Sequence, residues 1–421
     1  MDLSAFFKKE IVCHRPFPAC HFLATDAPKA NSRSKSSHMK KLNHTEIQFL
    51  ELYKSSLWGT PLKDDLFASE ATDWSHIVEI AKQQTAIACT ADALSHLPKD
   101  LVPHDLRLQL IGSVLSVQRA NEAMNRLLLQ LFSLLKAEGI RTWLLKGQGL
   151  ACHYPAPELR QSGDIDLFFP NLQQFYRAYD LFSQTFRRTE ELQPDSLHAA
   201  FEYQNIVIEL HGKIVLRINR KLDKNFNGWL HNITGNPYDN TIEIAGGQIA
   251  IPPVCFDAIF ILIHTVRHYF GGGIGLRQVS DWMRFLYVKR DEIDLSALEK
   301  DIEKLGLGKI WRVFATMAVE LLGCPEKAMP LYRKGKYTAE SRKVLRYILD
   351  SGNFGQHDKR TKSQSKYYLL RRWKALTGHL KMKFRNVTMF PEEALYDVPN
   401  FIKDGLHRTQ FWKKDKRVIN L

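Results

Sequence analysis

The 421-residue chain has no apolar run of eighteen or more residues, and its N-terminus carries basic residues but no continuous apolar stretch. The first absence removes the mark of a membrane-spanning helix and the second that of a secretory leader, so the expected address is the cytoplasm. Cysteine is scarce. Cys13, Cys20, Cys89, Cys152, Cys255 and Cys324 show no Cys-x-x-Cys spacing, which argues against a disulfide framework or a zinc ribbon. The repeated pairs Cys13-His14 and Cys20-His21 match no standard zinc spacing either. No G-x-G-x-x-G or P-loop pattern occurs. Gly271 to Gly275 is rich in glycine but follows a helical stretch rather than a strand, so it reads as a connection between helices that reaches substrate at most incidentally.

What remains is an ordinary globular composition, 44% hydrophobic and 25% charged, in a chain long enough for two or three domains and a real core. Residues 1–42 form a basic N-terminal extension whose segment from Ala30 to Lys41 is polar and without periodicity, the composition of a disordered tail, with Met39 as an alternative start. Helical spacing of apolar residues then runs through 43–118 as a lead-in. An α/β core is expected over 119–252, closed by Pro252-Pro253, and a helical domain with a basic tail over 253–421. The expected fold class is therefore α+β, with a small mixed sheet flanked by helical regions on both sides.

The chemistry concentrates between Leu144 and Phe168. Thr142 to Leu145 is a short apolar run with the character of a buried strand. Lys146-Gly147-Gln148-Gly149 turns the chain into a helical stretch expected from Leu150 to Tyr154. Glycines before a helix N-terminus allow backbone N–H groups to approach phosphate, the helix dipole favours an anion, and Lys146 adds a full charge at the lip. Asp164 and Asp166 follow on a second strand. Strand alternation puts both on one face and Ile165 and Leu167 on the other. An Asp-x-Asp pair arises about once by chance in a chain this long, so its weight comes from this context. Two such carboxylates suit Mg²⁺, which takes oxygen ligands at roughly 2.1 Å, usually with substrate phosphates completing the shell. A third carboxylate is expected for a two-cation site. In Asn205 to His211 the alternation puts Ile206, Ile208 and Leu210 in a core and Val207, Glu209 and His211 opposite, making Glu209 the best candidate and His211 a neighbour able to orient it.

The set Leu145-Lys146-Gly147, Tyr154, Arg160, Gly163-Asp164-Ile165-Asp166-Leu167 and Ile208-Glu209-Leu210-His211 resembles a poorly characterised bacterial nucleotidyltransferase family of the DNA polymerase beta-like superfamily. The resemblance spans roughly residues 120 to 290. It implies metal and catalytic roles for Asp164, Asp166 and Glu209, with Mg²⁺ or Mn²⁺ as cofactor and a nucleoside triphosphate such as ATP as co-substrate. Phosphate contacts by Gly147 and Gln148 follow from it less directly, because Lys-Gly-Gln stands where the superfamily has Gly-Ser or Gly-Gly, and Glu209 stands where Asp is commoner. The run Arg160, Ser162, Gly163 and the two aspartates is also similar to abortive-infection nucleotidyltransferase toxins, which extends the nucleotide-binding set to Lys146, Gly147, Gln148, Arg160, Ser162 and Gly163. That likeness keeps a toxin acting on RNA as an alternative; a non-catalytic nucleotide sensor is the other.

His264 and His268 lie one helical turn apart in an apolar stretch, where packing histidines are the better expectation than a metal pair. The net charge is +14, and residues 353–421 carry sixteen Lys or Arg against six Asp or Glu, an excess of ten. There Leu369, Trp373, Leu376, Leu380 and Phe384 form a helical stripe flanked by arginines and lysines. It reads first as a packed helix with a solvated basic face and second as a nucleic-acid contact. The acceptor, whether small molecule, protein hydroxyl or RNA end, belongs to the surrounding helices and is not written in the core motifs.

Overall fold

A computed structural model describes residues 42–68, 72–233, 240–353, 377 and 386–396. Among these, helices α1 (His44–Trp58), α2 (Trp74–Gln83), α3 (Ile87–Leu94) and α4 (His104–Ala137) precede the sheet. The central part runs β1 (Trp143–Leu145), α5 (Gly147–Ala151), β2 (Asp164–Phe168), α6 (Leu172–Thr185), β3 (Arg187–Gln193), β4 (His198–Tyr203), β5 (Ile206–His211) and α7 (Arg220–Ile233), then the hairpin β6 (Thr241–Ile244) and β7 (Gly247–Ala250). Helices α8 (Val254–Gly271), α9 (Leu276–Lys289), α10 (Leu295–Lys304), α11 (Gly308–Leu322), α12 (Thr338–Ser351) and α13 (Pro391–Tyr396) complete it.

The five-stranded sheet has the order β1-β2-β5-β4-β3. β2 and β5 are parallel, and the other neighbours pair antiparallel, so the sheet is mixed and the class is α+β. The β2–β5 register sets Asp166 opposite Glu209 and Phe168 opposite His211. Alternation then sorts the faces. Leu144, Ile165, Leu167, Ile208 and Leu210 join a cluster with Phe175, Ala178 and Phe182 of α6 and with Met124, Leu127, Leu128, Leu131 and Leu135 of α4. Each such side chain contributes about 1.5–3 kcal/mol when fully buried. Trp143, Leu145 and Phe168 point the other way, into a larger cluster shared with α1–α3 and α8–α12. The acids lie on this second face. α6 begins at a side-chain cap, with Asn171 Oδ1 accepting from the Gln174 amide at 3.1 Å.

α4 is one continuous helix of 34 residues, so the expected boundary near residue 118 falls inside it. Its first half, with Leu110, Val114 and Val117, serves the larger cluster, and its second half serves the sheet. The helices before and after the sheet thus share one apolar core.

One local expectation shifts. The helix after Lys146 begins at Gly147 rather than at Leu150. The β6–β7 hairpin turns at Ala245-Gly246, both at positive φ (48° and 83°). Gly247 is a strand residue where a Cβ would lie 2.2 Å from a Leu129 methyl carbon, so a larger residue there would have to displace the Leu129 side chain. Strands β3 and β4 carry no alternating signature: β3 is almost wholly exposed, and β4 buries Ala199, Ala200 and Phe201 in succession.

α8 has the length and composition of a membrane span, with mean hydropathy 1.2 over 18 residues, but eleven of its residues are buried against neighbouring elements of the fold. The basic stripe from Leu369 to Phe384, together with Cys13, Cys20 and Met39, lies outside the described residues.

Candidate active site

The site forms where the acid-bearing face of the sheet meets α8 and α9. A cavity of about 400 Å³ opens there, within the ordinary range for a small-ligand site of about 300–1,000 Å³. Lys146, Gly147, Arg160, Asp164, Asp166, Glu209 and His211 line it, whereas Gln148, Ser162 and Gly163 stand outside its wall.

Asp164, Asp166 and Glu209 bring one oxygen each within 4.8 Å of one another. Asp166 is buried, with Oδ1 receiving a hydrogen bond from His211 Nε2 at 3.0 Å. Its Oδ2 is also buried, faces Lys146 Nζ as an ion pair at 3.0 Å, and has no hydrogen-bond donor in line with it. An under-satisfied buried carboxylate oxygen beside two further carboxylates fits a hard divalent cation. The electrostatics agree. Asp166 and burial push the Asp164 carboxyl above the usual range. Burial pushes Glu209 the same way, but hydrogen bonds from His198 and His211 outweigh it and hold that carboxylate well below its usual range.

Lys146 is aimed by an unusual backbone. It adopts φ 51°, ψ −143°, followed by Gly147 at φ 48°, where a Cβ would lie 3.3 Å from the Asp164 carbonyl oxygen. Such conformations cost on the order of 1–3 kcal/mol in a non-glycine residue and persist where surrounding structure enforces them. Burial would discharge the amine, but Asp166, Asp164 and Glu209 raise its pKa and keep it an ammonium. Its other contact is His264 Nε2 at 3.0 Å. An ammonium only donates, so His264 Nε2 accepts, and the 3.0 Å contact between the Nε2 atoms of His264 and His268 must use a hydrogen from His268. Burial, then Lys146, lower both imidazoles, His264 far below its usual value and His268 to about 4. The two histidines expected to be packing groups therefore form the wall that positions Lys146. The glycines from Gly271 to Gly273 stand outside that wall, and Gly275 caps α9 where a Cβ would lie 2.8 Å from the Gln84 carbonyl oxygen.

Arg160 reaches the cavity wall but directs its guanidinium elsewhere. Nε and Nη2 donate to the two carboxylate oxygens of Asp281 at 2.8 and 2.7 Å, and Nη1 donates to Ser162 Oγ at 2.7 Å. Ser162 Oγ in turn donates to Gln148 Oε1 at 3.3 Å, and Gln148 Nε2 donates to the Asn121 side chain at 3.2 Å. Asn121, at the midpoint of α4, donates to the carbonyls of Glu158 and Arg160 at 2.8 and 3.0 Å. This buried chain fixes the loop that delivers Asp164 to the cavity.

Sequence reasoning missed several site residues. His198 Nε2 lies 3.3 Å from Glu209 Oε2, on a strand whose burial hides its period. Arg277, held by a 3.2 Å donation from Nε to Thr85 Oγ1, lines the cavity together with Lys213 and Arg267. Asp281 and Asn121 have no local motif; only their contacts across the fold reveal them.

A carboxylate cradle on a mixed sheet, faced by a wall of lysine and arginine, is the arrangement of an enzyme that handles nucleotide phosphates. A family model described as an uncharacterised nucleotidyltransferase matches residues 70–323, and the chain belongs to that family; it is a transferase of nucleotidyl groups. The matched span runs beyond the sheet to include α2 through α11, so the helical walls of the cavity lie within it. No curated protein and no solved structure matches the chain.

Proposed function

We propose that the protein moves a nucleoside monophosphate from a nucleoside triphosphate to a hydroxyl acceptor, with release of pyrophosphate. The carrying observation is the convergence of Asp164, Asp166 and Glu209 within 4.8 Å in a cavity whose other wall is cationic. A divalent cation, Mg²⁺ or Mn²⁺, held by these carboxylates would neutralise the triphosphate and polarise the acceptor oxygen. The chain's own residues do the rest. Lys146 presents a fixed ammonium beside Asp166, and Arg277 adds a guanidinium braced by Thr85. The Gly147 backbone, with no side chain, lets phosphate oxygens approach the turn. Lys213 and Arg267 extend the positive wall. These groups are in place before substrate arrives, so phosphate charge is met without reorganisation. Arg160 and Ser162 belong to this reading as positioning residues, because their donors already hold the Asp164 loop.

The acceptor hydroxyl gives its proton to solvent as its oxygen attacks the α-phosphorus, the bond from that phosphorus to the bridging oxygen breaks, and pyrophosphate leaves. The test incubates the full chain and an Asp164→Ala/Asp166→Ala variant with each α-labelled nucleoside triphosphate, Mg²⁺ or Mn²⁺, and fractionated bacterial extract. Label in one fraction with the wild type alone supports transfer and names the acceptor class as small molecule, protein or RNA. Metal-dependent nucleotide binding with no label in any fraction would replace the reading with a nucleotide sensor.

A further inference from the structure

We infer that His198, Glu209 and His211 form a second cation position, one suited to a tetrahedral, imidazole-binding divalent ion of the zinc class. The inference rests on three side chains converging from β4 and β5 and stands whether or not the cavity transfers a nucleotide. One ligand atom from each lies within 4.8 Å of the others. Glu209 Oε2 is 3.3 Å from His198 Nε2 and 3.3 Å from His211 Nε2. Two bonds of about 2.0–2.1 Å at the tetrahedral angle span about 3.3 Å, so both separations equal the edge of a zinc-sized tetrahedron. All three residues line the cavity, which leaves a fourth position for water or a substrate oxygen, the pattern of catalytic rather than structural zinc.

Register explains the convergence. His198 stands directly opposite His211 in the antiparallel β4–β5 ladder, with their ring centroids 4.9 Å apart, and Glu209 lies one same-face step along β5. On the outer side His198 Nδ1 is 3.5 Å from Glu190 Oε2 on β3, a carboxylate placed where a ligand histidine has its outer partner. Imidazole nitrogen separates this position chemically from the carboxylate set of Asp164 and Asp166. Mg²⁺ selects oxygen ligands, whereas zinc and its neighbours accept imidazole.

The experiment titrates metal-free full-length protein with Co²⁺ and reads the visible spectrum, where tetrahedral Co²⁺ absorbs far more strongly than octahedral Co²⁺. Intense bands saturating at one Co²⁺ per chain, displaced by Zn²⁺ but not by excess Mg²⁺, are expected. Asp164→Ala should keep the bands and His198→Ala should lose them. Glu190→Gln, which leaves all three ligands and alters an exposed side chain, should weaken Co²⁺ binding by about 10–100-fold, the usual cost of losing an outer carboxylate. Absence of intense bands in the wild type, or bands kept in His198→Ala and lost in Asp164→Ala, would overturn the inference. Because the readout is spectroscopic, failure of nucleotidyl transfer leaves it untouched.

Discussion

Lys146 ties the acid-bearing face of the sheet to α8. It bridges Asp166 on the sheet and His264 on α8, from a backbone conformation that a lysine does not adopt without enforcement. Lys146→Met should remove the ammonium beside buried Asp166, leaving it the hydrogen bond from His211. Breaking a buried pair from one side costs about 3–5 kcal/mol, so thermal unfolding of the metal-free variant should fall accordingly and nucleotide binding should weaken with it. A variant with unchanged stability would mean that the acids do not need the ammonium. A second residue-scale prediction concerns Asp257 in the first turn of α8, buried and with Oδ1 unpartnered. Burial alone raises its pKa well above the ordinary carboxylate value. The folded state therefore holds this proton more tightly than the unfolded chain, and the stability it contributes is full below about pH 4 and is lost as pH rises toward the folded value. Asp257→Asn should match the wild type near pH 4 and exceed it in unfolding midpoint at pH 8. Equal midpoints at both pH values would contradict the assignment.

At the scale of elements, the loop between α5 and β2 is held by the buried bidentate pair of Arg160 and Asp281, with Tyr154 Oη donating to the same carboxylate at 2.8 Å. Asp281→Ala should strand a buried guanidinium, lower stability by about 3–5 kcal/mol and release the loop that carries Asp164. Steady-state kinetics of any surviving fold should show a larger loss in kcat than in nucleotide affinity, because Lys146 and Arg277 remain. The elements also show what was legible from residues alone. β2 and β5 were readable because Ile165, Leu167, Ile208 and Leu210 alternate with acids, and alternation is what a half-buried strand imposes. β3 and β4 were not, since an exposed edge strand and three successive buried residues both erase the period, and His198 went unseen with them.

For the whole molecule, the cavity is a joint product of two clusters. One wall is the sheet, packed from behind by α6 and the second half of α4; the other is α8 and α9, seated in the larger core with α1–α3. The family resemblance placed the carboxylates but assigned no role to the segments around His264 and Arg277, because their meaning lies in contacts made more than a hundred residues away. Residues 119–252 expressed alone should therefore bind no nucleotide, whereas a chain spanning 42–353 should retain binding; equilibrium dialysis with Mn²⁺ separates the outcomes. Transfer of the α-phosphoryl group is tested most directly by running α-labelled and γ-labelled nucleoside triphosphate in parallel against the acceptor fraction. The α label should be bound covalently to the acceptor and the γ label recovered in pyrophosphate. Label from the γ position on the acceptor, or both labels recovered in intact nucleotide, would contradict that transfer.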